Sequence, residues 1–273
     1  MEKVTPEEAR KIQLFMLREI DTFCRANNIR YSLSGGSLLG AVRHKGFIPW
    51  DDDIDIFMPR PDYERFVVNF YGKVPYVNVF SYQTSDTCMA KFAKVYDERT
   101  FYMFRNCVYG VFIDVFPIDG IPAPAEAAAY AKKFNRMGDH ITMKRKCYKQ
   151  SANPVRDIAK YIVKQIMMPL PKSYLVKKFN EYLNQYPFET SKYRGCIINM
   201  GPYGTREFFP AKVFDEFIDM PFENLSVSCL KEYDKYLSQL FGDYMTPPPV
   251  EKQVPGHDYP TYWKEGFSIK DIL

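Results

Sequence analysis

A run of acids that leads into an apolar strand is the feature that most constrains how this chain can fold. Asp51, Asp52 and Asp53 are adjacent, and Asp55 lies inside the apolar stretch that follows them. Neighbouring carboxylates repel one another, and removing them from water is costly unless a cation compensates. The pattern predicts a strand over residues 51–58, in which alternation places Asp51, Asp53 and Asp55 on one face and Asp52 on the other.

Two interpretations of this acid run are open. The aspartates could form a polar turn that caps a neighbouring helix, which is the more common role of an isolated acid run. A carboxylate at the end of a buried strand needs a partner, however, and hard oxygen ligands suit Mg²⁺ or Mn²⁺. Because these acids enter a hydrophobic strand, we favour the metal site.

A glycine pair precedes the acids by about 16 residues. The sequence predicts a short strand over 29–33, a turn that contains Gly35, Gly36 and Ser37, and a short helix over 38–43. Backbone N–H groups and a helix N-terminus would then point at one place, which suits a phosphate chain. The glycine pair is weak evidence alone and becomes stronger because acids follow it.

Asp114 is a single acid at the centre of the β-rich run 111–118. Burial disfavours the charged form of a carboxyl group, so an acid in a buried strand needs a partner. That partner could be a set of nearby backbone amides. We favour a shared metal site, because another predicted strand already carries a metal-type pair of acids.

Predicted strands concentrate before residue 120 and predicted helices follow it. The fold class is therefore α/β (α+β), with a small mixed sheet flanked by helices and a mainly helical C-terminal extension. We assign the core to residues 1–123 and the extension to residues 124–273, packed together as one unit. The first helix begins at the capping sequence Thr5-Pro6-Glu7-Glu8 and runs to about Asn27.

Composition and charge indicate a cytoplasmic protein. The N-terminus has no apolar signal segment, and no apolar stretch approaches the roughly 20 residues of a spanning helix. The six cysteines form no CxxC pair, so reduced thiols are favoured over a zinc site. Residues 132–178 hold thirteen Lys and Arg against two acids. This basic block could contact an anionic membrane surface at the cytoplasmic leaflet or form solvated helix faces.

The order of a glycine turn, an Asp-x-Asp strand and a later strand with one Asp resembles the nucleotidyltransferase superfamily. More narrowly, residues 33–44 and 46–55 resemble the LicD family, and the likeness extends to residues 114–119, to residues 240–245 and to His257. The resemblance covers most of the chain. It implies a nucleotidyltransferase-type core that transfers a phospho-alcohol group from a CDP-activated donor, such as CDP-choline, to a cell-surface glycan or a lipid-linked sugar. The zinc-binding insertion of the fukutin-related branch has no counterpart in the cysteine spacing, so no zinc is expected.

This resemblance suggests roles for individual residues. Asp53 and Asp55 would hold one or two Mg²⁺ (or Mn²⁺) ions that bridge the donor diphosphate. Asp114 would complete the metal site or accept a proton from the attacking hydroxyl, and Asp51 would contribute through water. The residues expected to bind substrate phosphate or sugar are Gly35, Gly36, Ser37, Arg43, Lys45, Lys91 and His257, with Lys94 as a further cation; for the cations and His257 the alternative is a structural or solvated role.

Two other functions share these features. A nucleotidyltransferase that leaves the nucleotide on its acceptor would use the same acids and would differ only in its product. A non-catalytic scaffold that binds a nucleotide or glycan has no need of so many clustered carboxylates. Nucleic-acid binding is disfavoured, because the basic block lacks interleaved glycines and aromatics and the net charge is only +4.

Overall fold

The computed structural model describes residues 2–84, 92–104, 107–143, 154–167, 169–198, 203–256 and 260–272, so the predicted roles of Lys91 and His257 lie outside the described residues. The helices are α1 (Pro6–Ala26), α2 (Gly35–Arg43), α3 (Arg60–Phe70), α4 (Pro124–Met143), α5 (Pro154–Met167), α6 (Lys172–Leu183) and α7 (Tyr233–Phe241). The strands are β1 (Ser32–Leu33), β2 (Asp55–Pro59), β3 (Val77–Phe80), β4 (Ala93–Asp97), β5 (Thr100–Phe104), β6 (Cys107–Tyr109), β7 (Phe112–Ile121), β8 (Tyr193–Gly195), β9 (Phe208–Pro210), β10 (Phe217–Phe222), β11 (Leu225–Leu230) and β12 (Tyr262–Trp263).

Helix α1 begins as its sequence predicts. The Thr5 side chain accepts a hydrogen bond from the Glu8 backbone, and the Glu8 carboxylate accepts one from the Thr5 backbone, which completes a capping box. The apolar side of the helix is buried and includes Ile12, Met16 and Ile20. The helix contacts β4 and β7, so it covers the part of the sheet that includes the acid-bearing strand β7.

The central sheet is mixed, as predicted, and runs in the order β1-β2-β7-β4-β3. Strands β2 and β7 are parallel, whereas β1 pairs with β2, and β4 with both β7 and β3, in antiparallel fashion. Helix α3 follows β2 and contacts both β2 and β7. At the far end of β7, Asp119 forms a two-point ion pair with Arg60 of α3, with N–O distances of 2.6 and 2.8 Å.

Local boundaries differ from the prediction around the glycines and the acids. Helix α2 already begins at Gly35, so the glycine pair forms its first turn. Strand β2 begins only at Asp55, and the predicted strand over residues 51–54 is wrong. The Asp51 N–H donates to the Ile48 carbonyl and closes a turn. The carbonyls of residues 51 and 52 accept hydrogen bonds from α1 side chains, and only the last carbonyl before β2, that of Ile54, accepts one from β7, from the Asp114 N–H.

The predicted helices after residue 120 are present as α4, α5 and α6. Beyond Leu183 the chain also forms strands that helical periodicity did not predict. Strand β8 pairs with the end of β7, β10 and β11 form a hairpin that contacts β1, and β12 pairs with β5. Within the described parts of the chain, no helix combines the length and apolar character needed to cross a bilayer. The division at residue 123 stays a prediction.

Candidate active site

Three neighbouring strands bring Asp55, Asp114 and Lys94 into one row across the sheet. Asp55 at the start of β2 is the register partner of Asp114 on β7, and Asp114 is the partner of Lys94 on β4. Directly opposed residues on paired strands share a face, with Cβ atoms about 5 Å apart. Asp55 and Asp114 are therefore neighbours across the sheet, and a lysine continues the row.

The loop before β2 adds a group of carboxylates to this row. Asp51, Asp52 and Asp53 each place one carboxylate oxygen within 4.8 Å of the others, and all three side chains are partly exposed. The prediction that Asp52 points away from Asp51 and Asp53 is wrong, because these residues lie in a loop and strand alternation does not apply to them.

Two α1 side chains hold this loop, and the sequence prediction did not identify either. Arg10 donates from Nη2 to the Asp51 carbonyl at 2.7 Å and to the Pro49 carbonyl at 2.9 Å. The buried Gln13 donates from Nε2 to the Asp52 carbonyl at 3.1 Å. Gln13 lies among the apolar positions of an amphipathic helix, which is a weak signal for a positioning role. Together the two side chains fix the backbone from which the carboxylates project.

The N-terminus of α2 is bonded directly to the start of β2. The Ser34 N–H donates to the Asp55 carbonyl, and the Asp55 N–H donates to the Ser37 hydroxyl oxygen, both at 2.9 Å. Ser37 therefore positions Asp55 in this structure. Gly35 has a φ of 49°, which favours glycine, and a Cβ at Gly36 would lie 2.7 Å from the Asp51 carboxylate. The glycines allow the positive end of the helix to approach the acids closely.

The neighbouring carboxylates repel the charge of Asp55. Burial raises the pKa of its carboxyl well above the ordinary value, the Asp53 and Asp114 carboxylates raise this pKa further, and Lys94 lowers it. A divalent cation among these groups would reverse that effect, because it stabilises the ionised carboxylates. The donors are all carboxylate oxygens, the ligands that Mg²⁺ and Mn²⁺ prefer. The residues present therefore fit the expected metal.

Lys94 is held tightly within the row. Its ammonium forms an ion pair with the Asp114 carboxylate and lies 3.7 Å from the centre of the Phe112 ring. The side chains of Lys94 and Asp114 are only 11% and 14% exposed. An ammonium in this position is a fixed positive charge beside the acids and can interact with a phosphate oxygen in the site.

Arg43 and Lys45 lie at the opposite end of α2 from the glycines. Arg43 donates to the Tyr244 carbonyl at 2.7 Å, and burial lowers the pKa of its guanidinium. Arg43 also lines a cavity of about 420 Å³ together with Trp50. Lys45 is exposed and donates to the Val42 carbonyl at 3.0 Å, which caps the end of α2. The substrate-binding roles of both cations stay predictions.

A buried carboxyl group on the other side of Gly35 was missed by the sequence prediction. Tyr236 of α7 donates from its hydroxyl to Glu207 at 3.2 Å, and the backbone of Gly35 hydrogen-bonds the same hydroxyl. Burial raises the pKa of Glu207 to about 7. Glu207, Tyr236 and Asp55 line one small cavity. The only sequence signal was an acid next to the apolar pair Phe208-Phe209.

A separate cavity of about 190 Å³ borders the acid loop on the side of α1. It is lined by Asp52 and Asp53 together with Gln13, Phe112 and Thr261. The carboxylates therefore form part of the wall of a recess, where a small substituent of a substrate could lie beside them.

Comparison with known proteins identifies the family of this chain. Residues 28–173 match a family model described as "LicD/FKTN/FKRP, nucleotidyltransferase domain", and this range contains the glycines and all the acids of the row. The chain belongs to the LicD family. It is therefore a phosphotransferase, as the sequence analysis expected, while Glu207 and Tyr236 lie beyond the matched range.

Individual relatives place the chain within this family. It is 31% identical to the lipopolysaccharide cholinephosphotransferase LicD of Haemophilus influenzae over 268 residues, which is 96% of this chain and 99% of that protein. The ribitol 5-phosphate transferase FKRP of Homo sapiens is 61% identical over 31 residues, which is 11% of this chain and 6% of that protein. An uncharacterized protein of Rickettsia typhi is 43% identical over 56 residues, covering 20% of this chain and 18% of that protein.

Proposed function

We propose that this LicD-family phosphotransferase moves a phospho-alcohol group from a CDP-activated donor to a hydroxyl group of a glycan, in a reaction that depends on Mg²⁺ or Mn²⁺. The row of Asp55, Asp114 and Lys94 beside the N-terminus of α2 carries the proposal. It combines hard oxygen ligands, a fixed cation and oriented backbone amides at one edge of the sheet.

In this reaction the bond between phosphorus and the CMP oxygen breaks, and a bond forms between phosphorus and the glycan oxygen. Asp53 and Asp55 would hold the metal, supported by Asp51 and Asp114. When bound, the metal offsets the charge of the diphosphate and of the departing CMP. Asp114 would complete the metal site or accept the proton of the attacking hydroxyl. Lys94 and the first turn of α2 would bind phosphate oxygens.

The acceptor and the alcohol follow from the relatives only by analogy. One relative is named for lipopolysaccharide and choline phosphate, the other for ribitol 5-phosphate. We therefore propose a sugar of a cell-surface glycan or lipid-linked glycan as the acceptor, and CDP-choline as the first donor to test. The basic sequence block of residues 132–178 would favour a position at the cytoplasmic face of an anionic membrane.

The purified chain should release CMP from CDP-choline or CDP-ribitol in the presence of Mg²⁺ and a lipopolysaccharide acceptor, and EDTA should stop the reaction. Asp55→Asn and Asp114→Asn should each lower the rate by roughly two to three orders of magnitude, because a preorganised charge is lost from the site. Asp219→Asn, at an exposed acid of β10, is the matched control.

Product analysis separates the alternatives. Nucleotide that stays attached to the acceptor would establish nucleotidyl transfer instead. Binding of CDP-alcohols without any turnover would favour the scaffold. Unchanged transfer by Asp55→Asn would refute the role of the acid row.

A further inference from the structure

Helix α5 presents an apolar side to solvent. Among the described residues, five of the twelve exposed large apolar side chains belong to this one helix. Ile158 is 60% exposed, Tyr161 55%, Ile162 52% and Ile166 67%. Tyr161, Ile162 and Ile166 follow Ile158 by three, four and eight residues, so the four side chains share one side of the helix. A surface helix of a globular protein normally turns such a side to the core.

The helices packed in the same group as α5 carry exposed basic residues. Helix α5 contacts α4, and α4 contacts α6. Lys132, Lys133 and Arg136 of α4 are exposed, as are Lys177 and Lys178 of α6. The sequence of α5 itself has three basic residues and one acid. An apolar stripe on a strongly basic surface combines the two attractions that hold a helix in the interface of an anionic membrane.

We propose that α5 is an interfacial helix that docks this protein on an anionic lipid bilayer. Its isoleucines would lie at the boundary between headgroups and acyl chains, and Tyr161 would lie at headgroup level, where aromatic rings are enriched. The lysines of α4 and α6 would contact anionic headgroups.

Charge favours a bilayer over a second copy of the chain as the occupant of this surface. Two copies that met through α5 would bring two basic surfaces together, and like charges across an interface are costly. An anionic bilayer both accepts the apolar side chains and neutralises the lysines. The inference rests on the proposed function at one point: an enzyme bound to the membrane would meet a lipid-linked acceptor more often than an enzyme free in solution.

The test is co-sedimentation of the full chain with vesicles of phosphatidylcholine, alone or mixed with phosphatidylglycerol. The wild type should bind the mixed vesicles, and high salt should weaken that binding because it screens the lysines. Ile158→Ser combined with Ile162→Ser should lower the partition coefficient by roughly tenfold or more, since two isoleucines that would be buried in the bilayer are lost. Val250→Ser combined with Val254→Ser is the matched control, because these residues are 78% and 61% exposed outside α5.

Equal binding by the wild type and the isoleucine variant would overturn the proposal, and so would absence of the wild type from the mixed vesicles. A dimer that the isoleucine variant abolishes, without vesicle binding by the wild type, would assign the surface to a second copy. CMP release with a water-soluble acceptor should be the same in the variant and the wild type. If the wild type released no CMP, the proposed function would fail while the vesicle result would stand.

Discussion

Replacing Lys94 with methionine tests whether this lysine and a metal ion share the task of balancing the acids. Methionine keeps most of the apolar stem and its packing against Phe112, but removes the charge that faces Asp114. The Asp55 and Asp114 carboxylates would then lie side by side without the compensating charge of Lys94 on β4.

The size of the effect follows from the burial of the pair. Removing one partner of a buried ion pair costs about 3–5 kcal/mol, because the other charge stays buried without compensation. In a chain of 273 residues this corresponds to a fall in Tm of roughly 6–12 °C. A divalent ion bound by the same carboxylates supplies the missing charge, so saturating Mg²⁺ should restore much of the lost stability.

Thermal unfolding of the wild type and Lys94→Met, with Mg²⁺ and with EDTA, measures this coupling. Lys235→Met, at an exposed position of α7, controls for the general effect of losing a lysine. We expect Lys94→Met to gain more from Mg²⁺ than the wild type does. An equal fall in Tm in Mg²⁺ and in EDTA would refute the idea that the ion and the lysine compensate the same acids.

Two further predictions concern the surroundings of the row. The pKa of Glu207 is raised from 4.5 to about 7, so the folded state holds its proton more tightly than the unfolded state, and stability falls as pH rises through this window. Glu207→Gln should therefore raise the free energy of unfolding above pH 7 by roughly 3 kcal/mol, measured by urea denaturation, with little change below pH 4.5. Gly36→Ala should weaken Mg²⁺ binding about tenfold in calorimetric titration, since its methyl group displaces the Asp51 carboxylate.

Matched variants make both results interpretable. Glu232→Gln changes an exposed glutamate and should leave the pH dependence of stability as it is. Gly256→Ala adds a methyl group in open space and should not alter Mg²⁺ binding. A wild-type pH profile retained by Glu207→Gln, or normal Mg²⁺ affinity in Gly36→Ala, would contradict the respective prediction.

Local patterns in the sequence were sufficient for several features. The capping box and apolar periodicity predicted α1, and both depend on residues within a few turns of one another. The glycine and aspartate blocks identified the family. The apolar neighbours of Asp114 and the apolar stretch that begins at Asp55 predicted that both acids are costly to bury, since that cost depends on the immediate surroundings.

Other features depend on contacts between distant segments, and only the tertiary structure decided them. Alternation tells which residues of a strand share a face, but it does not tell which strand lies beside it or in which register. The pairing of β7 with both β2 and β4 placed Lys94 in line with Asp114 and Asp55. Residues 51–54 form a loop and not the predicted strand, because the carbonyls of residues 51 and 52 bind Arg10 and Gln13 of α1. These two side chains lie about 40 residues earlier in the chain.

The sequence by itself determined the family, the first helix and the acids that are costly to bury. The tertiary structure decided which groups surround those acids, including Lys94, Arg10, Gln13 and Glu207, and it turned the apolar side of α5 outward. The physical reason is the range of the interactions involved. Helix capping and periodicity are local, whereas strand order, burial and electrostatic coupling arise only when remote parts of the chain pack together.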